Sequence, residues 1–169
     1  FEKMSAYVPE STADIDEMTA LIHSLKSKDL VPANGERIAI IGAGPAGLSA
    51  AHDLALMGFK PVVFEIESVP AGMLVFGVPD YRLPRELIRR EVAVIESLGV
   101  EIRCDVKVGK DVLFNDLRKD FAAVIVAVGA KCSRALGIPG ESGPSVYGGV
   151  DFLRSVCLGE KMNLGENVV

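Results

Sequence analysis

Cysteine is scarce in this sequence and poorly placed for chemistry. The 169 residues include three, Cys104, Cys132 and Cys157, far apart and without a C-x-x-C pair. Neither a disulfide framework nor a zinc or iron–sulfur ligand set is encoded, and each thiol is expected to be free, as a small core hydrophobe or an indifferent surface group. Residues 1 to 34 contain no cysteine. No apolar run reaches the roughly 18 residues that a spanning helix needs. Long basic runs are missing too, and the net charge of −5 argues against an electrostatic nucleic-acid footprint. There is no signal-peptide pattern and no repeat of solenoid length. These absences point to a soluble, cytoplasmic protein that binds no metal of its own.

With 49% hydrophobic and 24% charged residues, the chain can bury a core as one domain. Residues 13 to 30 place Ile15, Met18, Ile22 and Leu25 at helical spacing, with Asp14 and Glu17 as a cap and its reciprocal partner. The polar VPANGER, residues 31 to 37, reads as a linker. From Arg37 strands and helices alternate. RIAIIG is an apolar run suited to a strand buried on both faces, PAGLSAAHDLALMG reads as a helix, and PVVFE, residues 61 to 65, as a second buried strand. Residues 84 to 99 read as a helix with Pro in its first turn, a Glu86 to Arg90 pair and Gly99 as its stop, its arginines on a solvated face. VEIRCDVKV, residues 100 to 108, is extended, LFNDLRKDF a short helix or loop, AAVIVAVGA, residues 122 to 130, another buried strand, and Val150 to Cys157 a last short helix. The fold class is therefore α/β with a parallel sheet, preceded by an N-terminal helix. The chain opens FEKMSAYV without an initiator Met and stops at NLGENVV where an apolar run begins, so it is expected to be an excerpt of a longer protein.

The turn GAGPAG, Gly42 to Gly47, fits G-x-G-x-x-G between a strand and a helix, and an acidic residue, Glu65, ends the second strand 23 residues after Gly42. This is the full context of a Rossmann-like dinucleotide site. Gly42 permits the tight turn, Gly44 lets backbone approach a pyrophosphate, and Gly47 lets helix and strand pack closely. The N–H groups at the helix start would hold the phosphates. Glu65 would accept the ribose hydroxyls, and its charge would repel a 2′-phosphate, so the site is expected to hold FAD or NAD and not NADP.

An 18-residue insertion, Ile66 to Leu83, follows where a nicotinamide site normally has a short loop. It contains PAGMLVFGVPDYRLP, residues 70 to 84, which reads as neither helix nor strand. An apolar insertion of that length usually covers something. Ala71 and Gly72 are small enough to bring backbone near a phosphate, and Met73 to Phe76 would face rings or core. Arg82, the insertion's one cation, suits a phosphate, a flavin carbonyl or a surface ion pair equally.

GAGPAG, the E-x6-G-M of Glu65 to Met73 and FGVPDYRLPRELIRREV together resemble the FAD domain of the glutamate synthase small-subunit family. That group includes the corresponding domain of dihydropyrimidine dehydrogenase and pyridine-nucleotide:ferredoxin oxidoreductases. The resemblance runs from about Gly35 to Val169. It implies a flavin domain, its first part over residues 35 to 145, into which an NAD(P)H-binding Rossmann domain is inserted. Residues 146 to 169 would be the crossing, with the inserted domain outside this chain, and residues 1 to 34 a separate helical segment and linker. By position, Gly42, Ala43, Gly44, Pro45 and Ala46 would lie along the FAD pyrophosphate and Glu65 on the ribose. Gly72, Met73 and Arg82 would be on the flavin side, Val108 at the adenine and Gly129 near the diphosphate. LGIPGE, residues 136 to 141, matches the crossing.

Three departures stand out. Ala71 replaces the first Gly of a common Gly-Gly pair, a mild change, and Val128 replaces a Thr. Many members carry two [4Fe–4S] clusters on an N-terminal cysteine-rich domain, which residues 1 to 34 do not supply; such clusters would lie elsewhere in the full protein or in a partner.

The implied chemistry is hydride transfer from NAD(P)H to FAD, then electron delivery to an iron–sulfur-containing subunit or domain. The cofactor carries that reaction, so no catalytic residue is expected. Tyr81 and Asp80 are read as loop structure, and His52 lies within the first helix. Two alternatives stay open: a non-catalytic module that binds FAD or NAD, and a dehydrogenase with nicotinamide at the Gly turn, which the insertion and Arg82 disfavour.

Overall fold

A computed structural model describes residues 35–168 except 163; the helix expected over residues 13 to 30 lies outside them. Five segments form helices and four form strands among these residues. In chain order they are β1 (Arg37–Ile41), α1 (Pro45–Leu56), β2 (Lys60–Phe64), α2 (Met73–Phe76), α3 (Arg85–Ser97), β3 (Glu101–Arg103), α4 (Phe114–Asp120), β4 (Ala123–Val126) and α5 (Gly149–Cys157). All strand pairs are parallel, in the order β3-β2-β1-β4. Successive strands run outward from β1 to one edge, and β4 then returns to its other side. The crevice between β1 and β4 is thus a topological switch point, where open α/β sheets bind ligands.

Both faces of the sheet are covered, as continuous apolar strands require. Ile40 and Val63 pack with Leu48, Ala51, Ile88 and Val92 under α1 and α3. Their neighbours Ala39, Val62 and Phe64 point the other way, onto Leu117 and Phe121 at α4. That alternation follows from the period of 2 in a strand. The rings of Phe64 and Phe121 meet edge to face with centroids 5.9 Å apart.

The expected elements form, with three differences. The strand expected over residues 122 to 130 ends at Val126 and is only half-buried. It is a sheet edge, and Val126 and Val128 are exposed among the described residues. The insertion also contains one helical turn, α2, because Gly72 at φ 52° and ψ −126° reverses the chain and its carbonyl accepts the N–H groups of Val75 and Phe76. Finally, the arginines of α3 are not all a solvated face. Arg89 and Arg90 do pair with Glu86, but Arg85 turns back into the insertion. Its guanidinium donates to the carbonyls of Leu74 (3.1 Å), Leu83 (3.3 Å) and Val78 (2.8 Å). Five donors on one rigid plane let one side chain satisfy three loop carbonyls. Asp80 completes the join by accepting the Arg85 N–H at 3.0 Å, which is the structural role expected of it.

Ala71 is not a neutral replacement for glycine. It is buried, with φ 81°, a conformation that crowds a Cβ against the backbone. It is held there because its N–H donates to the Ala43 carbonyl at 2.7 Å. Relief of about 1–2 kcal/mol of strain outweighs the extra chain entropy of glycine, about 0.4–1 kcal/mol. Ala71→Gly is therefore expected to raise the melting temperature of the full-length protein; an unchanged or lower value would show that the turn carries no strain.

Candidate functional site

The carboxyl ends of β1, β2 and β4 open into a cavity of about 480 Å³. Its floor is the Gly turn. Gly42 has φ 105°, and a Cβ there would collide with the carbonyl of Ala127, the residue that follows β4. A Cβ on Gly47 would strike the Gly42 carbonyl itself, so turn and helix meet with no side chain between them. Gly44 differs: a Cβ there meets nothing and would project into open space at the cavity wall. On the opposite side Gly72 approaches so closely that its Cβ would lie 3.1 Å from Gly44 Cα.

Helix α1 begins at Pro45 with no side-chain cap and no acidic residue in its first turn. Pro has no N–H to satisfy, and the next amides, of Ala46 and Gly47, belong to the first turn, where the helix itself offers no acceptor. This end of α1 carries a positive partial charge. Backbone donors, a positive dipole end and a glycine-lined approach on both sides fit a pyrophosphate.

Glu65 lies immediately after β2 and is almost fully buried, at 1% exposure. Its Oε2 accepts the Ala43 N–H at 2.7 Å, and its Oε1 accepts the Glu67 N–H at 3.0 Å. The same oxygen accepts Lys131 Nζ at 3.0 Å. Backbone bonds continue the ladder past the strand end: Val106 N–H donates to the Glu65 carbonyl and Asp105 N–H to that of Glu67. They bring Val106, Lys107 and Val108 onto the cavity wall.

A second carboxylate stands behind the first. Glu67 is 8% exposed, and Arg154 of α5 grips it with two bonds, Nε to Oε1 at 3.1 Å and a terminal nitrogen to Oε2 at 2.8 Å. Lys131 Nζ is 3.6 Å from Glu67 Oε1. The Arg154 hydrogen bond, aided by the Lys131 charge, holds the Glu67 carboxyl below the ordinary glutamate value despite the opposing effect of burial. The two carboxylates and two cations make a locally neutral cluster that joins the cavity to α5.

Of the residues singled out from sequence, Gly42, Gly44, Pro45, Ala46, Glu65, Gly72, Met73, Val108 and Gly129 lie on the wall of one cavity. Ala43 and Gly47 stand directly behind it, both buried. Arg82 is not brought there. Its side chain is exposed, in a turn closed by the N–H groups of Arg82 and Leu83 on the Pro79 carbonyl, and it is not part of the wall. Lys131 and Arg154 were not legible as site residues, nor Glu67 as their partner, because Lys131 reaches Glu65 across 66 positions of chain and Arg154 reaches Glu67 across 87. Tyr81 is 82% exposed, and His52 pairs with its neighbour Asp53 on α1. Among the described residues no group of His, Cys, Asp and Glu could hold a metal, and no helix is long and apolar enough to cross a membrane.

Fold and cavity together define a parallel α/β unit with a crevice at its switch point. Residues 36–169 match the family Pyridine nucleotide-disulphide oxidoreductase, and the chain belongs to that family. It is 40% identical over 143 residues to the NADPH-Fe(3+) oxidoreductase subunit beta of Geobacter sulfurreducens, covering 82% of this chain and 21% of that protein. It is 44% identical over 140 residues to the NADP(+)-dependent formate dehydrogenase subunit beta of Moorella thermoacetica, covering 80% and 20%. The expected likeness to glutamate synthase small chains is borne out: the Escherichia coli protein, glutamate synthase [NADPH] small chain, is 38% identical over 123 residues, covering 73% and 26%. Among solved structures, Mycobacterium tuberculosis FprA in complex with NADPH superposes with a TM-score of 0.65 at 30% identity, covering 72% of this chain and 29% of that one. The chain thus spans about a fifth to a quarter of the length of these curated relatives.

The Glu67 contact carries a pH signature. A carboxyl whose value is lowered on folding adds stability that is complete above the unfolded value and is lost as pH falls through the folded one. The urea midpoint of the full-length protein is expected to drop on acidification below about 4.5, the ordinary value, and to drop less in Glu67→Gln. Parallel pH profiles for the two proteins would contradict the Arg154 contact.

Proposed function

We propose that this chain is the first part of the FAD-binding domain of an NAD(P)H-dependent oxidoreductase. On this reading residues 35 to 145 hold FAD and residues 146 to 169 lead to a nicotinamide-binding domain, while residues 1 to 34 are a separate segment. The observation that carries it is the convergence on one cavity of the uncapped Gly turn, the buried Glu65 and the Gly72–Met73 corner of the insertion. Membership of the family supports electron exchange between a nicotinamide nucleotide and flavin; the formate dehydrogenase subunit is named for NADP(+), the oxidised form. NADPH in three of the four names favours it as the donor.

Bound FAD supplies the isoalloxazine that takes up hydride and releases electrons singly or in pairs. The chain's own part is to bind and orient. The first-turn amides of α1, at Ala46 and Gly47, would donate to the pyrophosphate, and Gly44 and Gly72, packed against each other, would let it lie close to the backbone along the cavity wall. Glu65 would accept from the ribose, while Val108 and Gly129 would bound the adenosine and diphosphate ends. Met73, which starts α2 on the cavity wall, would lie toward the flavin end and exclude water there. No side chain of this segment is assigned proton transfer. Electrons would leave to an acceptor subunit or domain, with [4Fe–4S] clusters in the full protein or its partner and the whole located in the cytoplasm.

Purified full-length protein is expected to be yellow and to lose its flavin absorption when NADPH is added anaerobically, with recovery in air. A yellow protein that neither NADPH nor NADH bleaches would instead favour a module that holds the dinucleotide without turnover.

A further inference from the structure

We propose that Lys131 is a displaceable counter-ion on the ribose-binding carboxylate, and that filling the site moves its ammonium from Glu65 to Glu67. The proposal rests on the reading of Glu65 as the contact for the FAD ribose. Its starting point is a count of acceptor positions. An ionised carboxylate offers about four. Three on Glu65 are taken: Oε2 by the Ala43 N–H, and Oε1 by both the Glu67 N–H and Lys131 Nζ. One position is left for a diol with two hydroxyls.

A donor must therefore yield, and the three are not equally movable. The amides of Ala43 and Glu67 are backbone, fixed by the Gly turn and by the ladder that pairs Glu65 and Glu67 with residues 103 to 106. Lys131 alone reaches Glu65 on a flexible side chain, 30% exposed and on the cavity wall. It also has somewhere to go. Glu67 Oε1 is 3.6 Å from its Nζ already. Arg154 occupies one position on each Glu67 oxygen, so acceptor capacity is left on both. A shift of the ammonium toward Glu67 keeps both buried carboxylates partnered, one by the ribose and the other by Lys131 with Arg154. The charge never has to enter an uncompensated state, which would be costly at this depth.

The two neighbours of Lys131 then act in opposite senses. Lys131 on Glu65 competes with the ribose and masks part of the value of its hydroxyls. Glu67 offers the alternative seat and makes that competition weak.

The test uses full-length protein stripped of flavin, titrated with FAD and with an FAD analogue that lacks the adenosine 2′-hydroxyl, binding being read by flavin fluorescence. The ratio of the two dissociation constants isolates the hydroxyl from general electrostatics. Lys131→Met should raise that ratio roughly fivefold to tenfold, as a hydrogen bond to a charged group is unmasked, and Lys131→Gln should move it the same way. Glu67→Gln should move it the other way, toward one, because the ammonium then stays on Glu65. A ratio unchanged in both Lys131 variants, or shifted in the same direction by the Lys131 and Glu67 changes, overturns the proposal. Wild-type protein that binds no FAD would instead overturn the cofactor reading, and the proposal with it.

Discussion

The hydrogen bond from the Ala43 amide to the buried Glu65 carboxylate, 2.7 Å long, is the contact on which the site depends. It ties the end of β2 to the Gly turn that ends β1, two points 22 residues apart in sequence. A carboxylate at 1% exposure is tolerable only when its oxygens are satisfied, so Glu65 fixes whatever donates to it. The Ala43 carbonyl in turn accepts from Ala71, which holds the insertion's corner and sets Gly72 against Gly44. A buried charge, a glycine turn and a strained alanine thus define one crevice.

Electrostatics extends that crevice beyond the sheet. Lys131 and Arg154 neutralise Glu65 and Glu67, and Arg154 carries the cluster to α5, the last helix among the described residues. α5 also touches the insertion, where the Arg85 guanidinium lies 3.5 Å from Cys157 Sγ. The same helix therefore meets both sides of the insertion, at Glu67 near its start and at Arg85 just past its end. A segment that reads as irregular in sequence is pinned at each end by an arginine using its planar fork.

Much of this was legible in the sequence, and the reason is local. The strand–turn–helix of residues 37 to 56, the second strand and the helix from Arg85 follow from periodicity and from Gly and Pro placement, which act over a few residues. The wall residues Gly42, Gly44, Glu65 and Gly72 announce themselves because backbone geometry admits few residue types there. Lys131 and Arg154 carry no such mark. A lysine or arginine in a loop or on a short helix is ordinarily solvated, and only the folded chain brings these two to Glu65 and Glu67. Arg82 illustrates the converse: its chemistry suits a phosphate, yet its side chain is exposed and off the cavity wall, and Arg85 does the structural work. The half-exposed β4 was overestimated because an apolar run gives burial potential without saying whether a layer covers it.

The central claim is that the Gly turn, Glu65 and the Gly72 corner select a flavin dinucleotide. It is tested most directly by denaturing the purified full-length protein and identifying the nucleotide released from it. The account predicts FAD at this site, in an amount matching the chain; NAD in its place, or FMN without adenosine, would contradict it.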